Sequence, residues 1–174
     1  MARNPDNAKL WTDAWVSVAT GPTRPTLPAT IDAVLPVGYV DTGLLDGEAG
    51  IGEERSSDRT EHFGWGAGIV KVGNRNFKVA GTFTPLEDNV EIRSILWGPG
   101  SSATALYMPK PVYRWLAFET LDDAAKKERL FTTRPAELWI PNNNRNESDI
   151  SKWEVQYTLF ADGTGKIFDR QVAA

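Results

Sequence analysis

The chain has 174 residues and a mass of 19.2 kDa, the size of one ordinary domain with one core. Hydrophobic residues make up 41% and charged residues 24%, which excludes a wholly disordered chain or a fibrous repeat. Nineteen Lys and Arg against 23 Asp and Glu leave a net charge of −4, concentrated in residues 41–61 with seven acids and two bases; this lacks the basic footprint of a phosphate-gripping protein. No apolar run approaches the roughly 18 residues of a membrane span, so neither a membrane anchor nor a signal peptide is expected. Without cysteine there is no disulfide, no thiol nucleophile and no Cys-type metal site.

A polar arm covers residues 1–12, of which Met1 to Lys9 is the most polar part, and Ala14 to Ala19 is a β-branched and aromatic run ended by Gly21-Pro22, hence a strand. Pro22, Pro25 and Pro28 make an extended connector, because proline fixes φ and disfavours helix in the residue before it. A second strand is expected over Ala33 to Val40. Residues 42–60, with four glycines, many acids and only Leu44, Leu45 and Ile51 as apolar members, read as a long loop. Loops of that length are uncommon in compact domains and are usually functional or disordered.

Short strands are expected at Glu61 to Trp65, Ile69 to Val72 and Asn76 to Phe83, the last with period-2 alternation. Thr84-Pro85-Leu86-Glu87 has the form of a capping box, and Gly98-Pro99 of a stop signal, so one helix is expected over 85–97. Its apolar residues fall on two sides: Leu86, Val90 and Trp97 on one, Ile92, Ile95 and Leu96 on the other. Beyond it, strands are expected over Ala103 to Met108, Pro111 to Thr120, Arg129 to Pro141 and Trp153 to Ala161. Asp162-Gly163 then reads as a hairpin turn into a final strand near Lys166 to Arg170. Asp122 to Glu128 has the look of a helical turn, and Asn142 to Asp149 of a polar loop. The fold class is mainly β, a sandwich or barrel with one flanking helix, in a single domain.

Catalytic signals are absent. His62 is the only histidine, and in a strand its neighbours Glu61 and Phe63 point to the other face. Gly64-Trp65-Gly66-Ala67-Gly68 lacks the third glycine of a dinucleotide loop and opens no helix, and Asp46-Gly47-Glu48 lacks the ligand ladder of an EF-hand. Glu53-Glu54 and Asp122-Asp123 fit solvated faces. Asn146-Glu147-Ser148 is a glycosylation sequon, idle without secretion. Of the seven tryptophans, Trp15, Trp115 and Trp153 lie in apolar strand patterns. No catalytic residue, no metal ligand and no cofactor is expected.

Between Val37 and Gly98 the order of features resembles the major tail proteins, the tail tube subunits, of long-tailed bacteriophages, in particular those infecting actinobacteria. The matching pieces are Val37-Gly38-Tyr39-Val40, Asp46-Gly47, Glu53-Glu54-Arg55-Ser56-Ser57-Asp58, Gly64-Trp65-Gly66, Val70-Lys71-Val72, Phe83-Thr84-Pro85-Leu86-Glu87-Asp88-Asn89 and Trp97-Gly98, about a third of the chain. Related folds occur in the tube protein of type VI secretion. The resemblance implies a virion protein, assembled in the host cytoplasm, that forms stacked hexameric rings whose lumen conducts DNA without binding it specifically. Its implied partners are further copies of itself and the tape-measure, tail-tip and tail-terminator proteins, with no membrane.

Within that frame, the loop at 42–60 is expected to stack rings, with Leu44, Leu45 and Ile51 as apolar anchors and Glu53, Glu54, Arg55 and Arg59 as polar register. A solvated acidic excursion is the alternative use of that segment. The helix is expected to serve a contact within the ring through Val90, Ile92, Ile95 and Leu96. A module binding sugars or a cell surface is the competing functional class, motivated by the tryptophans and the Asn142 to Asn146 stretch.

Overall fold

The computed structural model describes residues 8–102 and 104–173. Among these residues nine strands and one helix follow in the order β1 (Trp11–Ala19), β2 (Tyr39–Asp41), β3 (Ile51–Gly64), β4 (Gly68–Phe83), α1 (Val90–Trp97), β5 (Val112–Asp122), β6 (Lys127–Thr132), β7 (Ala136–Trp139), β8 (Val155–Leu159) and β9 (Phe168–Val172). The fold is mainly β with one short helix, as the sequence pattern implies. Every strand pairing among the described residues is antiparallel, along the path β2-β1-β5-β7-β8-β4-β3, with β6 and β9 branching from β5.

The branch arises because one expected strand, Arg129 to Pro141, is broken. Ala117–Leu121 of β5 pair with β6, while Val112–Arg114 pair with β7. Ala117 faces Phe131 and Arg114 faces Ala136, so the β6–β7 side holds two extra residues at this point. Pro135 has no amide to give to a ladder. Thr132 compensates, its buried hydroxyl accepting from the Leu116 amide at 3.0 Å. The kink splits the sheet into two wings that share β5: β2-β1-β5-β6-β9 and β5-β7-β8-β4-β3.

The wings close on one apolar core of Val16, Val18, Phe83, Leu116, Phe118, Leu138, Val155, Tyr157 and Leu159. Phe118 stands at its centre, 5.3 Å from the Tyr157 ring and 6.0 Å, edge-on, from Phe168. Side chains of this size each contribute about 1.5–3 kcal/mol when withdrawn from water.

Helix α1 is shorter than expected and starts elsewhere. Thr84, Pro85 and Leu86 are extended, not a cap: the Asp46 amide donates to the Thr84 carbonyl and the Leu86 amide to the Leu44 carbonyl, both at 2.8 Å. Asn89 is the N-cap instead, its side-chain oxygen accepting from the Ile92 amide at 2.9 Å while its amide group donates to the Thr42 carbonyl at 2.8 Å. A local cap signal therefore lost to a longer-range pairing. The helix buries Ile92, Ile95 and Leu96 in the chain's own core, whereas Val90 is 79% exposed and Trp97 half-buried. Three of the four residues expected to meet a neighbour, Ile92, Ile95 and Leu96, are thus consumed by the fold, and only Val90 remains available.

Other boundaries moved for local reasons. The Ala33 to Val40 candidate shrinks to Tyr39–Asp41, because Pro36 and Gly38, the latter at φ 118°, build a turn that leaves Val34 and Val37 exposed. Residues 104–108 form no strand. Asp122 to Glu128 is a tight β5–β6 turn, not helical, with the Asp122 carboxylate accepting from the Ala124 and Lys126 amides. Asp162 makes a similar turn with Thr164 and Lys166, yet β8 and β9 do not pair with each other. That turn carries the chain from one wing to the other. The expected N-terminal arm yields to β1 from Trp11, and its residues 1–7 lie outside the described ones.

Candidate functional site

The segment expected to be one loop divides into two structures. Residues 42–50 are strapped to their own domain. The Thr42 hydroxyl donates to the Val16 carbonyl at 2.8 Å, the Leu44 amide donates to the Glu87 carboxylate at 2.9 Å, and Lys152 pairs with Asp46 at 2.8 Å. Gly43 is required there: it sits at φ 91°, and a Cβ would come within 2.7 Å of the Glu87 carboxylate. Lys152 also holds the Asp46 carboxyl below the usual carboxylate range.

From Ile51 onward the chain is β3, fourteen residues long, paired with the sixteen-residue β4. The expectation of a loop over 51–60 is corrected by this ladder. Sparse apolar residues argue against a strand only when one face must be buried, and here neither face is: the outer part of β3 is exposed on both sides. Charge completes the pairing, because β3 carries Glu53, Glu54, Asp58 and Glu61 while β4 carries Lys71, Arg75 and Lys78. Asp58 lies opposite Arg75. With Arg55 and Arg59, residues 51–83 hold five bases against four acids, so the acids of β3, four of the seven read along residues 41–61, are neutralised in space.

Only the base of this hairpin belongs to the wing. Val79–Phe83 pair with β8 on one edge and with β3 on the other. Beyond Lys78 and Ser56 the two strands have only each other, and at about 3.3 Å per residue they project roughly 25–30 Å as an arm. A bulge marks the departure: Asn76 sits at φ 53°, two residues face one between the Ser56–Lys78 and Asp58–Arg75 pairs, and its side chain donates to Asp58 at 2.7 Å. Arg55–Glu53 and Arg59–Glu61 ion pairs, at 2.7 and 2.9 Å, brace the shaft lengthwise.

The tip is apolar. Phe63 faces Ile69 across the ladder, Trp65 lies fully exposed in the glycine turn, and Val70 is exposed as well, while Phe77 is exposed at the root of the arm. Residues 63–70 contain no charge. Gly66 and Gly68, at φ 74° and 71°, allow the tight reversal.

Of the residues expected to form a stacking surface, Glu53, Glu54, Arg55 and Arg59 are brought together on β3 and are exposed. Leu45 and Ile51 are not with them: both pack against the core, leaving Leu44, 66% exposed, as the free apolar member. Phe63, Trp65 and Ile69 were missed as site residues. The signal for them was present, a glycine-rich turn flanked by stretches of opposite charge.

A second surface lies beside α1. A groove of about 1030 Å³ runs between the helix, residues 98–102, Leu106 and the loop at 143–153, with Val90, Trp97, Leu106, Ile150 and Trp153 as apolar walls. Asp88 and Arg93 pair at 2.7 Å on its rim, which holds the Asp88 carboxyl low, and Arg145 also lines it. A further cleft of about 640 Å³ opens between the wings, by Trp11, Leu44, Leu130 and Phe168. Among the described residues, no three His, Asp or Glu side chains converge as metal ligands, and His62 stands exposed on the arm.

No protein-family model and no curated protein matches the sequence. Among solved structures, the chain is similar to one from the cryo-EM structure of an extracellular contractile injection system, the PVC sheath–tube complex in its extended state. The likeness has a TM-score of 0.44 and 10% identity, covering 92% of this chain and 88% of that one.

Proposed function

We propose that the chain is a non-catalytic structural subunit that polymerises through the β3–β4 arm into a tube of stacked hexameric rings, the tail tube of a phage virion. The observation that carries this reading is the arm itself. An isolated two-stranded hairpin is marginally stable in water, and this one holds Phe63, Trp65 and Ile69 out in solvent at its end. Large apolar side chains gathered at a protruding end mark a contact with another macromolecule. The sequence resemblance to major tail proteins supplies the form of the assembly, and with it the tape-measure, tail-tip and terminator partners, assembly in the host cytoplasm, and passage of DNA without specific binding.

The competing use, recognition of sugars, draws on exposed aromatic rings. Trp11 and Trp65 are the exposed tryptophans among the described residues, and they stand on different elements. Negative-stain microscopy of the purified chain across a concentration series is the test. Rings or tubes that appear above a threshold concentration support the proposal; single particles at all concentrations, with affinity for oligosaccharides, reject it.

A further inference from the structure

We infer that the apolar tip of the arm seats in the groove beside α1 of a second copy, so that copies join head to tail. This rests on the self-assembly proposed above and names the surface that receives the arm.

The direction of β4 supplies the geometry. β4 begins at the tip, at Gly68, and ends at Phe83, which pairs with Val155. Two residues before Val155, Trp153 walls the groove, and its amide donates to the Pro85 carbonyl at 3.1 Å. Tip and groove therefore lie at opposite ends of a sixteen-residue strand, on the order of 50 Å apart. No chain can reach its own groove. A contact between two different surfaces, repeated from copy to copy, builds an open row and not a closed dimer.

The chemistry of the two surfaces matches. The uncharged tip offers Phe63, Trp65, Ile69 and Val70, and the groove offers Val90, Leu106, Ile150 and the half-buried Trp97, with the buried Trp153 behind them. Glu61 on β3 already pairs with Arg59 at 2.9 Å, and Asp88 with Arg93 on the groove rim at 2.7 Å, so the two apolar surfaces meet with these neighbouring ion pairs already closed. Size sets the strength. Two aromatic rings of about 150–250 Å² each, with Ile69 and Val70, amount to roughly 500–700 Å², below the ~800 Å² per partner of a stable pair. One such contact is weak, and only many held together persist.

Sedimentation velocity on the full chain tests this with two variants at exposed positions. The tip variant is Phe63→Ser with Trp65→Ser; the groove variant is Val90→Asp with Ile150→Asp, and Ile150→Asp alone serves if the pair disturbs the fold. Each is expected to stay folded by circular dichroism and to raise the assembly threshold at least about tenfold, as loss of an aromatic anchor does. Mixed one to one, they are expected to make a single head-to-tail step between a groove-intact and a tip-intact chain and no long row, since each keeps the half that the other lacks. A wild-type chain that assembles together with a groove variant of unchanged threshold would overturn the seat while leaving self-assembly intact; that is also the result if the groove holds some other partner. Long polymers from the mixture would likewise overturn it. A wild-type chain that stays monomeric throughout removes both readings.

Discussion

The hydroxyl of Tyr157 on β8 donates to the carbonyl of Gly52 on β3 at 2.8 Å, reaching across the intervening strand β4. It does so over Gly81, where an added Cβ would lie 2.5 Å from the Tyr157 oxygen and would collide with the Gly52 carbonyl. Three strands are thereby locked at the root of the arm. Gly81→Ala is expected to cost more than Tyr157→Phe: the first drives a methyl into backbone, typically about 1–3 kcal/mol, whereas the second removes one hydrogen bond, about 1 kcal/mol. Thermal or urea unfolding of the two variants checks the order, and equal losses would show that the crossing is not tight.

Tyr39 gives a pH dependence. Its hydroxyl is buried without a hydrogen-bond partner, beside Phe131, and burial pushes its pKa up to about 12 despite the opposing charge of Arg24. Burial raises Tyr157 too. A tyrosine whose folded pKa lies above its unfolded value near 10 holds its proton more tightly in the folded state. Its stabilising effect is complete below pH 10 and is lost as the pH rises towards 12. Unfolding midpoints are expected to fall over that interval, and Tyr39→Phe to flatten the fall with little or no loss at pH 7, because it removes an unpaired buried oxygen.

At helix α1, Ile95→Asp is expected to prevent folding, since it places a carboxylate in the apolar core. Val90→Asp is expected to leave the fold intact. Asn89→Ala removes the cap and is expected to cost about 1–2 kcal/mol. Asn89→Asp, which keeps the accepting oxygen and loses the donor to Thr42, should fall between. Circular dichroism and melting curves read all four; an Ile95→Asp chain that folds would contradict the placement of that side chain.

Excision separates arm from body. Replacing residues 57–76 by an Asn-Gly turn is expected to leave a folded monomer, because the removed residues pair only with each other. Deleting 45–56 should instead unfold the chain, since it takes out Ile51, half of the Tyr157 lock and the bridge from Leu45 to Pro85. Size-exclusion chromatography and circular dichroism of the two deletions give the answer.

What could be read from the residues was whatever depends on near neighbours. Trp11–Ala19, Val112–Asp122 and Val155–Leu159 announce themselves by β-branched and aromatic runs, and the buried side of α1 by the spacing of Ile92, Ile95 and Leu96. Thr84 misled because its carbonyl is claimed by Asp46, nearly forty positions earlier, a competition that no local pattern records. Of the arm, Glu61 to Trp65, Ile69 to Val72 and Asn76 to Phe83 were expected as strands, and the part of β3 over residues 51–60 was hidden for a different reason. Alternation reports a sheet with one dry face, and β3 has none, so its order rests on partners in β4. As for the site, Glu53, Glu54, Arg55 and Arg59 were legible as a surface, whereas the receiving groove is built from segments far apart in sequence.

The boundary at Lys78 and Val79 has a kinetic side. On the inner side of it, β4 amides and carbonyls are engaged along two edges, and opening them requires β8 and β3 to part. On the outer side, one edge of each strand faces water for the length of the arm. Backbone amides from Ser56 to Lys78 therefore belong to a separate unit of opening, with a free energy far below that of global unfolding. In deuterated solvent the chain should label in two populations divided at that point, the arm first. Any partner that fixes the arm must offset the cost of ordering it at the moment of contact, which lowers the affinity gained per unit of buried area.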